Sequence, residues 1–301
     1  MTAHPAVVLV TGASSGFGNL TARALADAGH TVYAGMRASE GRNAPAAAAL
    51  AEFGRERGVR VSAVEMDVQD QESVDGAVGL VTAEQGRIDV VVHNAGHMVL
   101  GPAEAFTVDQ LADVYDVNVL STQRVNRAVV PVMRRQGRGL LVWVGSSSTR
   151  GGHPPFLAPY FAAKAAMDAL AESYAAELVK FGIETTVVVP GAYPSGTSHF
   201  AHAGGPADTA RAAEYDGPYG PLRDTVAQSL RDVFPPGHDA GEVAGEIARV
   251  VALPHGERPL RTHVDPSRDG SEVVSAVYDR IRAEFFRRIG IGELLTAHAS
   301  L

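Results

Sequence analysis

Short apolar runs, rich in β-branched residues, alternate along the chain with longer stretches that suit helices. The apolar runs cover 7–10, 31–36, 59–66, 88–93, 139–145, 183–189 and 260–264. Continuous apolar runs of this length are typical of strands that are buried on both faces, as in a parallel sheet. The pattern predicts an α/β fold with one domain over 1–301: a doubly wound parallel sheet of about seven strands, with helices on both faces.

The predicted helices lie between these strands. They cover 19–28, 44–57, 71–85, 107–136, 162–178, 240–253 and 272–289. Asp70 is the better N-cap candidate for the third helix, and Thr107 with Gln110 forms a capping box at the start of the fourth. The segment 198–239 lacks strong periodicity, and a segment this long inside a compact domain is usually functional.

A glycine-rich turn joins the first strand to the first helix. Glycines let the backbone approach a pyrophosphate closely, and the free N–H groups at a helix start attract its negative charge. A tight turn without a ligand is the alternative. The residues of the predicted phosphate site are Gly12, Ser14, Ser15, Gly16, Phe17 and Gly18.

Tyr160 and Lys164 are four residues apart at the start of a helical run. Positions i and i+4 share one helix face, so the phenol and the ammonium can act on one small target. A neighbouring lysine lowers the energy of the phenolate, which would make the hydroxyl a usable general acid or base near neutrality. Taken alone, such a spacing more often marks a surface pair.

Seven motifs in order along the chain resemble those of the short-chain dehydrogenase/reductase family. They are Thr11 to Gly18, Asp67-Val68, Asn94-Ala95-Gly96, Asn118, the serines at 146–148, Tyr160-x-x-x-Lys164 and Pro190-Gly191. The resemblance is close over about 6–191. It implies a Rossmann fold and hydride transfer between a nicotinamide cofactor and a small-molecule carbonyl or secondary alcohol.

The resemblance also implies catalytic roles. Tyr160 would be the general acid/base, and Lys164 would lower its pKa and bind the nicotinamide ribose. Ser147, at the family's usual interval of 13 residues before Tyr160, would orient the substrate oxygen, although a neighbouring serine stays open. Asn118 lies on an apolar stripe, where a carboxamide needs partners; it matches a family residue in the proton relay, with a purely structural role as the alternative.

Further cofactor contacts implied by the resemblance follow the later strands. They are Asp67, Val68, Asn94, Ala95, Gly96, Pro190 and Gly191. Asp67 can also be read as a turn residue. The family's threonine after Pro-Gly is missing from its usual place, so either Ser195 or Thr197 would contact the nicotinamide amide.

The end of the second strand bears on cofactor choice. An acid there binds the adenosine ribose of NAD, whereas an arginine accommodates the 2′-phosphate of NADP. This chain has Met36 and Arg37 at that point and no acid. We therefore expect NADP (NADPH) as the cofactor rather than NAD, with Ser15 as a second phosphate contact. A solvated Arg37 is the alternative.

The resemblance makes 193–239 a substrate-binding lid and leaves 265–301 as a C-terminal extension. Candidate lid wall residues are Tyr193, Phe200, Tyr215, Tyr219 and Phe234. His93 and His97 flank the Asn-Ala-Gly turn, and a histidine there is more often structural than catalytic. His199 and His202 lack a third ligand, so no metal site is predicted.

Composition and charge limit which classes of partner this protein is expected to bind. A net charge of −8 disfavours nucleic acid. No apolar run reaches the length of a membrane span, and no basic n-region precedes the first apolar run, so we expect a cytoplasmic protein without membrane contact. By resemblance, the helices that carry Asn118 and Tyr160 would form a homodimer or homotetramer, helped by small side chains such as Ala165 and Ala169.

Two other functions fit parts of the sequence. One is an NAD-dependent alcohol or steroid dehydrogenase, which the missing acid after the second strand disfavours. The other is a non-catalytic regulatory protein that senses NADP(H). A sensor would need only the glycine turn and Arg37. The presence of all four candidate catalytic residues, the Asn, Ser, Tyr and Lys named above, therefore argues against this function.

Overall fold

A computed structural model describes residues 5–194, 196, 197 and 203–296. Its sheet has seven parallel strands in the order β3-β2-β1-β4-β5-β6-β7, which confirms the predicted fold class. The strands are β1 (Val7–Val10), β2 (Thr31–Met36), β3 (Val61–Glu65), β4 (Val90–His93), β5 (Gly139–Val144), β6 (Ile183–Pro190) and β7 (Arg261–Val264).

Helices cover both faces of the sheet. They are α1 (Gly16–Asp27), α2 (Ala44–Arg57), α3 (Gln71–Gln85), α4 (Val108–Tyr115), α5 (Ser121–Gln136), α6 (Ala158–Leu178), α7 (Thr209–Ala213), α8 (Asp216–Asp232), α9 (Gly241–Ala252) and α10 (Ser271–Arg288). Asp70 caps α3 by accepting a hydrogen bond from Glu72 N at 3.0 Å. The capping box at Thr107 is also present.

Successive residues of β1 supply two separate cores. Val7 and Leu9 join the core formed with α3, α5 and α6, whereas Val8 and Val10 join the core formed with α1, α2 and α9. Each fully buried side chain of this size contributes about 1.5–3 kcal/mol. Because both faces are covered, the carboxyl edge of the sheet is where a ligand can approach the strands.

Two helix predictions need correction. The helix expected over 107–136 is interrupted by a π-helical turn, Asp116–Leu120, between α4 and α5. There the Asn118 side chain donates to the carbonyl of Val114 at 2.9 Å. The spacing of apolar residues cannot predict such a bond between a side chain and the backbone. The first helix begins at Gly16 rather than at residue 19, because the glycine turn is itself its first turn.

The segment 198–239 contains more regular structure than its sequence pattern indicates. It forms α7 and α8. No residue of α7 is buried, so this helix has no apolar stripe for a periodicity argument to find. Gly204 anchors the segment by accepting from Leu100 N at 2.8 Å and donating to Met98 O at 3.0 Å.

A buried ion cluster connects three elements behind the carboxyl edge. Arg261 on β7 binds Asp168 and Glu172 of α6, with 2.6 Å to the Glu172 carboxylate. Arg150, from the turn after β5, binds the same two acids at 2.9 and 2.6 Å. The Arg261 side chain is only 2% exposed. The phenol of Tyr278 on α10 donates to Glu172 at 3.0 Å.

Replacing Arg261 should destabilise the fold strongly. Arg261→Met leaves Asp168 and Glu172 buried with one cation instead of two, and removing one partner of a buried pair costs about 3–5 kcal/mol. Urea denaturation of the purified protein measures this loss. The matched control is Arg280→Met, whose pair with Glu284 is exposed and contributes less than about 1 kcal/mol. Equal losses for the two variants would contradict the role given to Arg261.

Candidate active site

Two adjoining cavities open at the carboxyl edge of the sheet. The first, of about 530 Å³, lies over β1, β2, β3 and β4. The second, of about 270 Å³, lies over β5 and β6 and against the start of α6. Phe17, Asn94 and Met98 line both cavities. A ligand in one cavity can therefore meet a ligand in the other.

Most of the residues predicted to bind a cofactor line the first cavity. These are Gly12, Ser14, Ser15, Gly16, Phe17, Arg37, Asp67, Val68, Asn94, Ala95 and Gly96. Arg42, Asn43 and Gln69 line it too, although no sequence motif marked them. Arg42 and Asn43 lie just before α2, beyond the strand end where a cofactor motif is normally sought.

The glycine turn is shaped by close backbone packing. Gly12 and Gly16 have φ angles of 63° and 53°, in the left-handed region that favours glycine. A Cβ on Gly18 would lie 2.4 Å from Asn94 Nδ2, and one on Gly12 would lie 2.8 Å from Ala95 Cα. Gly18 therefore supports the turn from behind rather than lining the cavity. Asn94 reinforces the turn by donating to the carbonyls of Thr11 and Gly12 at 2.9 and 3.1 Å.

Two exposed arginines line the part of the first cavity next to β2. Arg37 follows β2, and Arg42 follows it by five residues. Glu65, the residue paired with Met36 at the end of β3, accepts from Ala38 N and Ser39 N, both at 2.7 Å. Although desolvation opposes it, these bonds and one from the Ser39 hydroxyl hold the pKa of Glu65 below its usual value. Its carboxylate is thus used to shape the loop.

Lys164 is held in a buried, fixed position. It is 4% exposed, and its Nζ donates to the carbonyl of Val144 at 3.0 Å and lies 5.9 Å from the centroid of the Tyr160 ring. Burial lowers the pKa of Lys164 to about 8. The structure thus brings the predicted tyrosine and lysine together on the second cavity.

The phenol of Tyr160 has a high pKa in this structure. Burial raises the pKa of Tyr160 to about 12, and a hydrogen bond with the Ser146 side chain offsets this only in part. The net direction is opposite to the lowering expected from Lys164: desolvation of the phenolate is the largest cause, and Ser146 is the side chain that opposes it. Tyr160 carries its proton throughout the neutral range.

The serine cluster divides its hydroxyl groups between two partners. Ser146 hydrogen-bonds Tyr160 and also lies 2.7 Å from the Ser148 hydroxyl. Ser147, the residue selected by the interval of 13, instead hydrogen-bonds Asp269. All three serines line the second cavity. The interval is measured along the chain, and it cannot tell which way successive side chains point in the short 3-10 turn Ser147–Thr149.

Asn118 is fully buried and lines neither cavity. Its Nδ2 donates to the carbonyls of His97 and Val114, both at 2.9 Å, and its Oδ1 accepts from His97 N at 3.3 Å. A Cβ on Gly96 would lie 2.8 Å from Asn118 Oδ1 and 3.6 Å from Lys164 Nζ. The missing side chain of Gly96 therefore lets the amide and the ammonium converge.

The remaining predicted contacts fall at the edges of the two cavities. Asp67 lines the first cavity and also accepts from Gln69 N at 3.0 Å. Pro190, Gly191 and Thr197 line the second. Thr197 donates its hydroxyl to Tyr193 O at 3.2 Å. Ser195 lies outside the described residues.

Some of the predicted lid residues line the second cavity and others do not. Tyr193 lines the second cavity and packs on Phe234, with 4.8 Å between the ring centroids. Tyr215 and Tyr219 stack on each other at 5.8 Å and line neither cavity. Phe200, His199 and His202 lie outside the described residues.

His93 is buried, and its contacts agree with the structural role expected for it. It is 2% exposed, its Nε2 lies 2.8 Å from Asn126 Oδ1, and burial lowers its pKa to about 4.

Within the ranges that the structure describes, no group of acidic or histidine side chains could hold a metal ion. In the same ranges, no helix combines the length and apolarity that a membrane crossing requires.

Comparison with known proteins agrees with this arrangement. Residues 6–203 match the family described as short chain dehydrogenase. Oxidoreductase BOA17 of Botryotinia fuckeliana is 32% identical over 282 residues, which are 91% of this chain and 95% of that protein. The 3-ketodihydrosphingosine reductase of Bacteroides thetaiotaomicron is 29% identical over 87% of this chain and 89% of the relative. Human 17-beta-hydroxysteroid dehydrogenase type 1 is 40% identical, but this chain spans only 55% of its length.

Solved structures share the fold over most of the chain. A short-chain dehydrogenase from Streptomyces avermitilis is 31% identical, with a TM-score of 0.72 over 96% of this chain and 98% of that one. A gluconate 5-dehydrogenase from Burkholderia cenocepacia, solved in complex with NADP and tartrate, is 25% identical, with a TM-score of 0.67 over 87% of this chain and 94% of that one.

Proposed function

The chain belongs to the short-chain dehydrogenase family, and from that premise we propose that it is an NADP(H)-dependent oxidoreductase that interconverts a carbonyl and a secondary alcohol. The observation that carries the proposal is the placement of Tyr160 and Lys164 on a cavity that adjoins the glycine turn. The first cavity would take the adenosine and pyrophosphate of the cofactor, and the second would take the nicotinamide end together with the substrate.

The residues of the first cavity suit a dinucleotide. The left-handed Gly12 and Gly16 bring backbone to the cavity surface, and the N-terminus of α1 presents N–H groups that favour a pyrophosphate. Arg37 and Arg42 would bind the 2′-phosphate of NADP. Lys164 would hold the nicotinamide ribose, and Thr197, which lines the second cavity, would contact the nicotinamide amide, with Ser195 as the alternative. When bound, the cofactor supplies or accepts a hydride.

Tyr160 supplies the matching proton. A phenol with a pKa near 12 is protonated at neutral pH, so it can donate to the oxygen of a carbonyl that is being reduced. Lys164, with a pKa near 8, keeps most of its positive charge at neutral pH and stabilises the phenolate that remains. Asn118 would position the backbone at His97 and take part in returning a proton to Tyr160. Ser146 would share the substrate oxygen with Tyr160.

Removal of the two arginines should shift cofactor preference. Arg37→Ala/Arg42→Ala deletes charge-assisted bonds to the 2′-phosphate, each worth about 1.5–3 kcal/mol. The KM for NADPH should therefore rise at least about tenfold, while the KM for NADH changes little. Steady-state kinetics with both cofactors measures the shift. Arg60→Ala, which removes an exposed arginine away from the cavity, is the matched control. A wild-type preference for NADH would refute this part of the proposal.

Tyr160→Phe should abolish turnover while NADPH still binds. The variant keeps the ring and removes only the proton donor, and the loss of a general acid costs about 100- to 10,000-fold in rate. NADPH oxidation, followed optically with a panel of aldehydes, aliphatic ketones and steroid ketones, measures the rate. Fluorescence titration with NADPH checks that the cofactor site is intact.

Two results would contradict the assignment of Tyr160. One is a near-normal rate for Tyr160→Phe on any ketone that the wild type reduces. The other is a loss of NADPH binding in the variant that accounts for the loss of rate. Complete inactivity of the wild type across the panel would favour a protein that binds NADPH without catalysis.

The two serines should have separable effects. Ser146→Ala removes the hydroxyl that hydrogen-bonds Tyr160, so kcat should fall about tenfold or more, because an orienting bond is lost. Ser147→Ala removes a bond to Asp269 and should leave kcat for a simple ketone within about threefold of wild type. The pair of variants serves as its own control. A larger loss of kcat for Ser147→Ala than for Ser146→Ala would favour the assignment of Ser147 by its interval from Tyr160.

A further inference from the structure

The turn that carries the three serines has no apolar side chain to hold it in place. The segment 145–153 reads Gly-Ser-Ser-Ser-Thr-Arg-Gly-Gly-His, and its only side chains larger than threonine are those of Arg150 and His153. Burial of apolar surface, which fixes the strands and helices around it, has little to act on in this segment. The position of the turn must therefore be set by hydrogen bonds and ion pairs.

Backbone hydrogen bonds join the serines to Arg150 in one short 3-10 turn. Thr149 N donates to Ser146 O at 3.1 Å, and Arg150 N donates to Ser147 O at 3.2 Å. The hydroxyl groups of Ser146 and Ser148 lie 2.7 Å apart. Because these bonds connect every residue of the turn to its neighbours, a shift of Arg150 would shift the serine hydroxyls with it.

Arg150 binds the helix that carries Tyr160 and Lys164. Its Nη2 lies 2.9 Å from Asp168 Oδ2 and 2.6 Å from Glu172 Oε1. The two acids continue, at spacings of four residues, the series that Tyr160 and Lys164 begin on α6, and residues four apart share a helix face. The ion pairs of Arg150 therefore attach the serine turn to the helix from which Tyr160 and Lys164 reach the second cavity.

These ion pairs are largely shielded from water. The side chains of Arg150, Asp168 and Glu172 are 11%, 3% and 9% exposed. A charge buried to this degree keeps its partners, because leaving it unpaired is strongly unfavourable. A planar guanidinium between two carboxylates also has little freedom to turn, in contrast to a lysine ammonium on its flexible stem. Arg150 thus holds one orientation, and the turn beside it does too.

The C-terminal helix α10 completes this support. The ring of Tyr278 lies over Arg150, with 4.2 Å between the guanidinium carbon and the ring centroid, and its hydroxyl donates to Glu172 Oε2 at 3.0 Å. Tyr278 is 43% exposed, so it can be replaced without opening the core. Because it lies beyond residues 6–203, the region that matches the family, the motifs of that region do not reveal this support.

Two further contacts place the turn at the second cavity. Lys164 Nζ donates to the carbonyl of Val144, two residues before the first serine, at 3.0 Å. A Cβ on Gly151 would lie 2.3 Å from Asp269 Oδ2, so the absent side chain lets the loop after β7 lie close to the turn. All three serines line the same cavity as Tyr160.

We propose, on the basis of the proposed function, that Arg150 is a positioning residue for carbonyl reduction: bound by α6 and covered by Tyr278, it keeps the serine turn where Ser146 and Tyr160 share the substrate oxygen. Arg150 lines neither cavity, so it acts through the turn and not by contact with substrate or cofactor. Loss of such orientation lowers the rate of the chemical step more than it weakens binding.

A double-mutant cycle tests this role. Arg150→Met removes both ion pairs, so kcat for the ketones that the wild type reduces should fall about tenfold, while the KM for NADPH stays within about twofold. In Ser146→Ala the same substitution should lower kcat less than about twofold, because the hydroxyl that Arg150 positions is already absent. An equal effect of Arg150→Met with and without the Ser146 hydroxyl would overturn the proposal.

Tyr278 provides a milder variant that keeps the test decisive if Arg150→Met does not fold. Tyr278→Leu removes the ring over Arg150 and the bond to Glu172, and kcat should fall about threefold or more, again less in Ser146→Ala. The matched control is Phe285→Leu, which replaces a half-exposed aromatic residue of the same helix. In that case, equal kcat values for the two variants would overturn the proposal.

Amide hydrogen exchange tests the positioning without any substrate. The amides of residues 149–151 donate within the serine turn, so their exchange reports how often the turn opens. Arg150→Met should raise their exchange rates about tenfold and leave those of the glycine turn, residues 12–18, at wild-type values. No rise in the serine turn, or an equal rise in both turns, would overturn the proposal. Failure of the proposed function shows separately, as an absence of NADPH oxidation with every ketone of the panel.

Discussion

The buried ion cluster around Arg261 is the constraint on which the second cavity depends. It joins α6, which carries Tyr160 and Lys164, to the turn after β5 through Arg150 and to β7 itself. α10 joins the same cluster through Tyr278. These elements are far apart along the chain, and apolar packing alone does not fix their rotation about one another. Directional bonds between buried charges fix this rotation, at the cost of desolvating each charged group.

The sheet and most of the helix limits could be predicted because they follow from local physics. Continuous apolar runs such as Val7–Val10 mark strands covered on both faces, and caps such as Asp70 mark helix starts. The glycine turn was recognisable for the same reason, since its backbone geometry requires glycine at Gly12 and Gly16. In these places sequence, local conformation and burial all favour the same structure.

The rest of the site depends on contacts between distant segments, which the sequence does not display. The interval from Tyr160 selects Ser147, whereas the serine that acts on the pKa of Tyr160 is Ser146, and an interval along the chain cannot tell which way the side chains of this turn point. Asp269 lies 109 positions after Tyr160 (269 minus 160) and has no motif around it. The raised pKa of Tyr160 also follows from burial, which depends on the assembled fold rather than on the neighbouring lysine.

Gly151 has a consequence for how this protein could change over time. It has no side chain to touch a ligand, and its role is to leave the volume that the Asp269 carboxylate fills. Any larger residue there would force that carboxylate to move from its place at the cavity wall. The wall of the second cavity and the Tyr160–Lys164 pair are thus encoded at different positions, so mutations could reshape the wall separately from the pair.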